Sequence, residues 1–134
     1  MTIKRLTKED HPQSFGTFKP VGHVVVAMPD DATAEAATAA LRGVGFEEAD
    51  ILHYSAAEED SEMARMLDHA SDFAGFGYEV TLMRKYQALA REGCSWLLVY
   101  SPDEAHTTKV ADAAQRFGAR LAVKYHRLVV EDLI

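Results

Sequence analysis

Apolar residues along this chain fall into runs and stripes whose period changes from one segment to the next. HVVVAM (His23–Met28) is an unbroken β-branched run of strand length, stopped by Pro29. Asp30 or Asp31 then stands where a helix needs a side-chain acceptor for its free N–H groups. The Ala-rich ATAEAATAALRGV that follows carries Leu41 and Val44 at its far end. Gly45 suits the left-handed stop, and Phe46 is placed to fold back onto the helix. DILHYS (Asp50–Ser55) reads as a second strand, and Ser55-Ala-Ala-Glu58 as a capping box. Met63, Met66, Leu67, Ala70 and Phe73 then repeat at helical spacing, and so do Leu82, Met83, Tyr86, Leu89 and Ala90 before Gly93. CSWLLVY (Cys94–Tyr100) is apolar enough for a central strand. Ser101-Pro-Asp-Glu104 predicts another capped helix, with Pro102 at its first position and Ala105, Val110, Ala113, Ala114 and Phe117 on one side; Gly118 ends it. RLAVKYHRLVV predicts one last strand, with Leu121, Val123 and Tyr125 on one face and Ala122, Lys124 and His126 on the other.

The stretch DFAGFGYEV decides how these elements connect. A single helix from Ala56 to Glu92 would be about 55 Å long. A chain of this size has a radius of gyration of only roughly 14 Å. Gly75 and Gly77 would each weaken such a helix by about 1 kcal/mol relative to Ala. The expectation is a turn there, giving a helical hairpin that returns the chain to the sheet, so that the third strand runs antiparallel to the second. The predicted fold is therefore α+β: a ferredoxin-like split βαβ sandwich with a four-stranded antiparallel sheet and a two-helix hairpin (56–92) inserted between strands 2 and 3. A simple kink would instead make the sheet parallel. A phosphate-binding role for GFG is disfavoured because such loops follow a strand, and this one follows a helix. Residues 1–21 are polar and irregular, with Phe15 and Phe18 as anchors, and form an N-terminal arm that packs by those rings or crosses to a partner; 22–134 form one domain.

Composition narrows the function classes. Against 14 basic residues stand 21 acidic ones, a net charge of −7, which opposes binding to nucleic acid and to anionic membranes. One cysteine, Cys94, can form neither an internal disulfide nor a thiolate zinc site and suits a reducing compartment. The charged start MTIKRLTKED does not read as a secretory signal, and no run reaches membrane-span length. The expected location is cytoplasmic.

Candidate chemistry is sparse. Histidines 11, 23, 53, 69, 106 and 126 form no HxxxH or HExxH pair, so no metal site is predicted. His69 with Asp68 and Asp72 reads as a solvated helix face. Ser55 and Ser101 are better explained as helix caps than as nucleophiles, and Cys94 opens a strand rather than a helix. The acidic run Glu58, Glu59, Asp60 and Glu62 complements a helix dipole. No catalytic residue and no cofactor is assigned. What remains is the sheet face that helices leave open in a ferredoxin-like sandwich. Strand parity suggests His23, Val25 and Ala27 with Ala122, Lys124 and His126, joined by Trp96 and Tyr100 or by Leu97 and Val99. Such a half-apolar face serves as a dimer interface or a small-molecule pocket, with His23, Trp96, Lys124 and His126 as its polar and aromatic contacts.

The segment VGHVVVAMPDDATAEAATAALRGVGFEEADI resembles the start of the bacterial general-stress (heat-induced stress protein) domain: strand, acidic cap, Ala-rich helix ending in GF, acidic link, short strand. The ends, FGTFKPVGHVVV and KYHRLVVEDLI, are similar to a group of small uncharacterised proteobacterial proteins. The resemblance implies a ferredoxin-like fold and transfers no catalytic residue. The leading expectation is a non-enzymatic protein that acts through self-association, as a homodimer or higher homo-oligomer, or by binding another protein, in a stress context. The alternatives are a small-ligand or regulatory module, using His23, Lys124 and His126, and a dimeric α+β barrel-type enzyme, with haem on a histidine as one version.

Overall fold

In the computed structural model, residues 3–10, 13–14, 17–70 and 77–134 are described, with side chains over 3–10, 19–68 and 80–134. In chain order the elements are β1 (Gln13–Ser14), β2 (Thr17–Phe18), β3 (His23–Met28), α1 (Asp31–Gly43), a 3-10 turn (Glu48–Asp50), β4 (Ile51–Tyr54), α2 (Ala56–Ala70), α3 (Gly77–Arg91), β5 (Ser95–Tyr100), α4 (Glu104–Arg116), β6 (Leu121–Tyr125) and β7 (Val130–Asp132). The fold is α+β. Its main sheet has the order β4-β5-β3-β6-β7, and every neighbouring pair is antiparallel. Among the described residues, β1 and β2 pair with each other in a separate two-stranded sheet.

Local chemistry accounts for the element ends. Asp30 caps α1, accepting from Thr33 N–H at 2.8 Å while the Thr33 hydroxyl accepts from Asp30 N–H. Past the end of α1, Gly45 takes φ +110°, and Phe46 N–H returns to the Leu41 carbonyl, which brings the Phe46 ring into the core. Ser55 and Glu58 form the reciprocal cap of α2, at 3.1 and 3.0 Å. At α4 the expectation shifts by two residues: Asp103, not Ser101, is the cap, accepting from His106 N–H at 2.9 Å. Ser101 is fully buried, and its hydroxyl meets Thr107 Oγ1 instead.

The turn at Gly75 and Phe76, with the side chain of His69, Asp72 and Phe73, lies outside the described residues; so do His11 and Phe15. On either side of that gap, α2 and α3 are separate helices packed against each other, and β4 and β5 are antiparallel neighbours. This is the layout expected of a helical hairpin.

Two corrections concern the sheet. It has five strands rather than four. Gly22 N–H donates to the Tyr125 carbonyl, and beyond that point β3 offers β6 no further partner. The chain therefore reverses at His126–Val129, closed by His126 N–H to the Val129 carbonyl, and β7 pairs on the outer edge of β6. Nor is either face open. Val24, Val26, Met28, Leu97, Val99 and Ala122 pack on α1 and α4, whereas Val25, Ala27, Trp96, Leu98, Leu121, Val123 and Tyr125 pack on α2 and α3. The hairpin's apolar stripes bury the face that a bare sandwich would expose, giving three layers.

Candidate functional site

Register scatters the four residues predicted to share a face. Val24 lies opposite Lys124 and Val25 opposite Val123. A one-residue offset between strands reverses every side chain, so His23 and Trp96 point to the hairpin side, while Lys124 lies with Val24 on the α1/α4 side. The proposed set of His23, Trp96, Lys124 and His126 is not one site.

Three of the four residues already have structural partners. His23 is buried; its Nδ1 lies 3.1 Å from the Val21 carbonyl, and its Nε2 accepts from Leu6 N–H at 3.2 Å. The ring is therefore a neutral Nδ1–H tautomer that pins the N-terminal segment, and burial pushes its pKa below the usual 6.5. Lys124 Nζ donates to the Ser101 carbonyl and, at 2.9 Å, to Thr107 Oγ1. Thr107 donates its own proton to the Asp103 carbonyl, so Ser101 must donate to Thr107 and is no nucleophile. Burial lowers the Lys124 pKa, opposed by the field of Glu104, Asp103 and Glu131. His126 Nε2 lies 3.0 Å from Glu131 Oε1. Lys124, His126 and Arg127 border an open hollow of about 310 Å³ together with Asp103 and Glu104, a mixture of charges with no net preference.

Other constellations are structural as well. Ser95 Oγ donates to Asp31 Oδ1, and His53 Nε2 lies 3.6 Å from the same oxygen. The carboxylate, not the imidazole, occupies the middle, so the histidine cannot take the serine proton as a catalytic triad requires. Cys94 is buried, and burial raises its thiol pKa. Among the described residues no cluster of three or more His, Cys, Asp or Glu could hold a metal, and no helix is long and apolar enough to cross a membrane.

The site with chemical content lies where the hairpin meets the sheet. A cavity of about 40 Å³ opens between Val25 of β3, Trp96 and Leu98 of β5, Tyr54 of β4 and Glu59, Met63 and Met66 of α2, with Leu6, Thr7, Lys8 and Asp10 across its mouth. That volume exceeds the ~10–15 Å³ one water needs. Val25, Met63, Met66 and Leu98 make one part of the wall apolar, and Glu59, Glu62, Tyr54 and Trp96 bring polar groups to it. Trp96 Nε1 is buried and, among the described residues, has no hydrogen-bond partner. Glu59 is only 6% exposed, and among the described residues its carboxyl has no hydrogen-bond or ion-pair partner. Burial first, then the neighbouring charge of Glu62, pushes the Glu59 pKa up to about 8. The Tyr54 hydroxyl is pushed up to about 12, by burial and then by Glu59, Glu62, Glu58 and Glu9. At the mouth, Lys8 Nζ sits 4.7 Å from the Tyr54 ring centre and 3.5 Å from Glu58 Oε2.

Of this site the sequence reading named Trp96 and missed the role of Glu59, which it placed in a helix-start acidic run. The signal was present: Glu59 lies four residues before Met63 and seven before Met66, on the same helical stripe. Comparison of the chain with protein-family models, with curated proteins and with solved structures returns no match.

Proposed function

We propose that this chain is a small-ligand-binding module whose site is the cavity between α2 and the sheet, beneath residues 6–10. The observation that carries the reading is two polar groups set against the apolar side chains of Val25, Met63, Met66 and Leu98: Glu59, 6% exposed, and the buried Trp96 Nε1–H, neither with a hydrogen-bond partner among the described residues. A buried donor without an acceptor costs about 1–3 kcal/mol. A hollow of about 40 Å³, a little more than one water's share of ~30 Å³, takes a ligand of about two heavy atoms, and Met63 and Met66 supply an adaptable side. The reading is one of binding rather than catalysis, because the wall holds no hydroxyl or thiol paired with an imidazole. The strand order favours a ferredoxin-like framework extended by the hairpin and an edge strand. The likeness of residues 21–51 to a stress-protein domain favours a stress context in the cytoplasm.

A thermal-shift panel of small organic compounds tests the reading. At least one compound is expected to raise the melting temperature of wild type, and Val25→Leu, which fills the cavity, is expected to abolish that rise. A panel without effect on wild type, or an undiminished rise in Val25→Leu, would overturn it.

Self-association is the second reading. The feature that favours it is the edge strand β7, beside Leu128 at 92% and Val129 at 60% exposure, rather than an open sheet face. A concentration-independent mass of one 14.8 kDa chain in light scattering would remove it.

A further inference from the structure

We propose, resting on the binding reading above, that the occupant of this cavity is an organic ammonium ion of methylammonium size, its head paired with Glu59 and its methyl group against Val25, Met63 and Met66. The geometry supplies a buried carboxyl with no partner. It is 6% exposed, and among the described residues no cation lies within ion-pair distance of it.

The groups around it select for positive charge. From α2, Glu62 lines the same cavity and Glu58 stands at the mouth. From the N-terminal segment come Lys8 and Asp10, from β4 Tyr54, and from β5 the uncharged Trp96. Lys8 is the cation of this lining, and it is engaged outside, on Glu58 and over the Tyr54 ring. That contact shows the Tyr54 face accepting an ammonium group in the structure itself. The other cations of the segment are engaged as well: Lys4 pairs with Asp10 at 3.1 Å, and Arg5 with Glu47 and Asp50, each at 3.0 Å. An anionic ligand would face Glu58, Glu59 and Glu62 with Lys8 already occupied. A neutral ligand would take only a hydrogen bond from the carboxylic acid and would gain nothing from the charges of Glu58 and Glu62.

Proton balance follows from the same wall. The empty site holds Glu59 as the acid at neutral pH, since its pKa is pushed up to about 8. Binding is then an exchange: the carboxylic acid and R–NH3⁺ give the carboxylate–ammonium pair and one proton released to solvent. Apparent affinity should rise about tenfold per unit as pH increases toward 8 and level off above it.

The chain has one tryptophan, so the Trp96 indole N–H is a single resonance inside the cavity. ¹⁵N-labelled protein is titrated into the millimolar range with three probes small enough for a cavity of about 40 Å³: methylammonium, methanol and formate. The expected result is a saturable shift with methylammonium alone, about tenfold tighter at pH 7 than at pH 6. Glu59→Gln should lose both the preference over methanol and the pH dependence. The wild-type pH profile decides the question even if that variant folds poorly. A shift with methanol or formate equal to or stronger than with methylammonium would overturn the ammonium assignment and leave the site standing. An indole resonance unmoved by all three would overturn both and leave a cavity that holds water.

Discussion

Glu59, His23 and Lys124 are buried titratable side chains, and the first two answer to pH in opposite senses. Glu59 has a folded pKa raised above its ordinary value of 4.5. Its acid form therefore favours the fold fully below about pH 4.5, and that contribution is lost as pH rises through 8. Glu59→Gln keeps the shape and cannot ionise, so it should gain on wild type by about 1–3 kcal/mol between pH 5 and 8.5 in denaturant titrations. A difference that stays constant with pH would contradict this. His23 works in the opposite sense. Its folded pKa is lowered from 6.5, so its contribution is present above that pH and fades on acidification. A protonated ring would also turn a donor toward Leu6 N–H, which now donates to it. Exchange of the Leu6 amide, measured by NMR, should become less protected between pH 7 and pH 5; unchanged protection would mean that His23 does not hold the segment. Lys124 is satisfied by neutral oxygens on α4 and on the loop before it, and joins strand to helix rather than site to ligand. Composition and spacing identify such residues as polar. They do not show which face of the sheet each occupies, because one step of register decides it.

Strand and helix identities were legible because period and punctuation agree. The β-branched runs, Asp30, Ser55 and the glycines after α1, α3 and α4 all stand where the chain changes state. The missed boundaries have local causes. Pro102 after Ser101 imitates a helix start, but the Asp103 carboxylate reaches the His106 amide, and Ser101 is drawn inward by Thr107. Asp103→Ala should therefore cost about 1 kcal/mol by chemical denaturation; no loss would return the cap to Ser101. The last strand divides because β3 is too short to pair with all of it. Gly22 marks the place where the N-terminal segment touches the sheet. It takes φ +82°, and a Cβ there would collide with the Ile3 side chain. Tyr100 donates to the Ile3 carbonyl at 2.8 Å across the same contact. Gly22→Ala should cost about 1–3 kcal/mol and loosen residues 3–6, read as faster amide exchange at Leu6. Exchange as slow as in wild type would show that the segment does not depend on this fit.

Three layers, not two, set what the protein can do. The spacing of apolar residues predicts a hairpin and an antiparallel sheet, but it does not say whether the hairpin's stripes face each other or the sheet. Area decides: covering the second face removes Val25, Trp96, Leu98, Val123 and Tyr125 from water, at roughly 25 cal/mol for each Å² buried. The surface expected to serve as an interface became interior, and among the described residues it keeps an imperfect seam, the cavity under residues 6–10. There a helical stripe carries Glu59 where an apolar side chain would have closed the packing. A crystal structure of the protein as purified, at a resolution that separates water from a small ligand, tests this account. The account expects continuous non-water density in the cavity, within hydrogen-bond distance of the Glu59 carboxyl. A seam closed by repacked side chains, or one filled only by water bridging Glu59 and Trp96 Nε1, would contradict it.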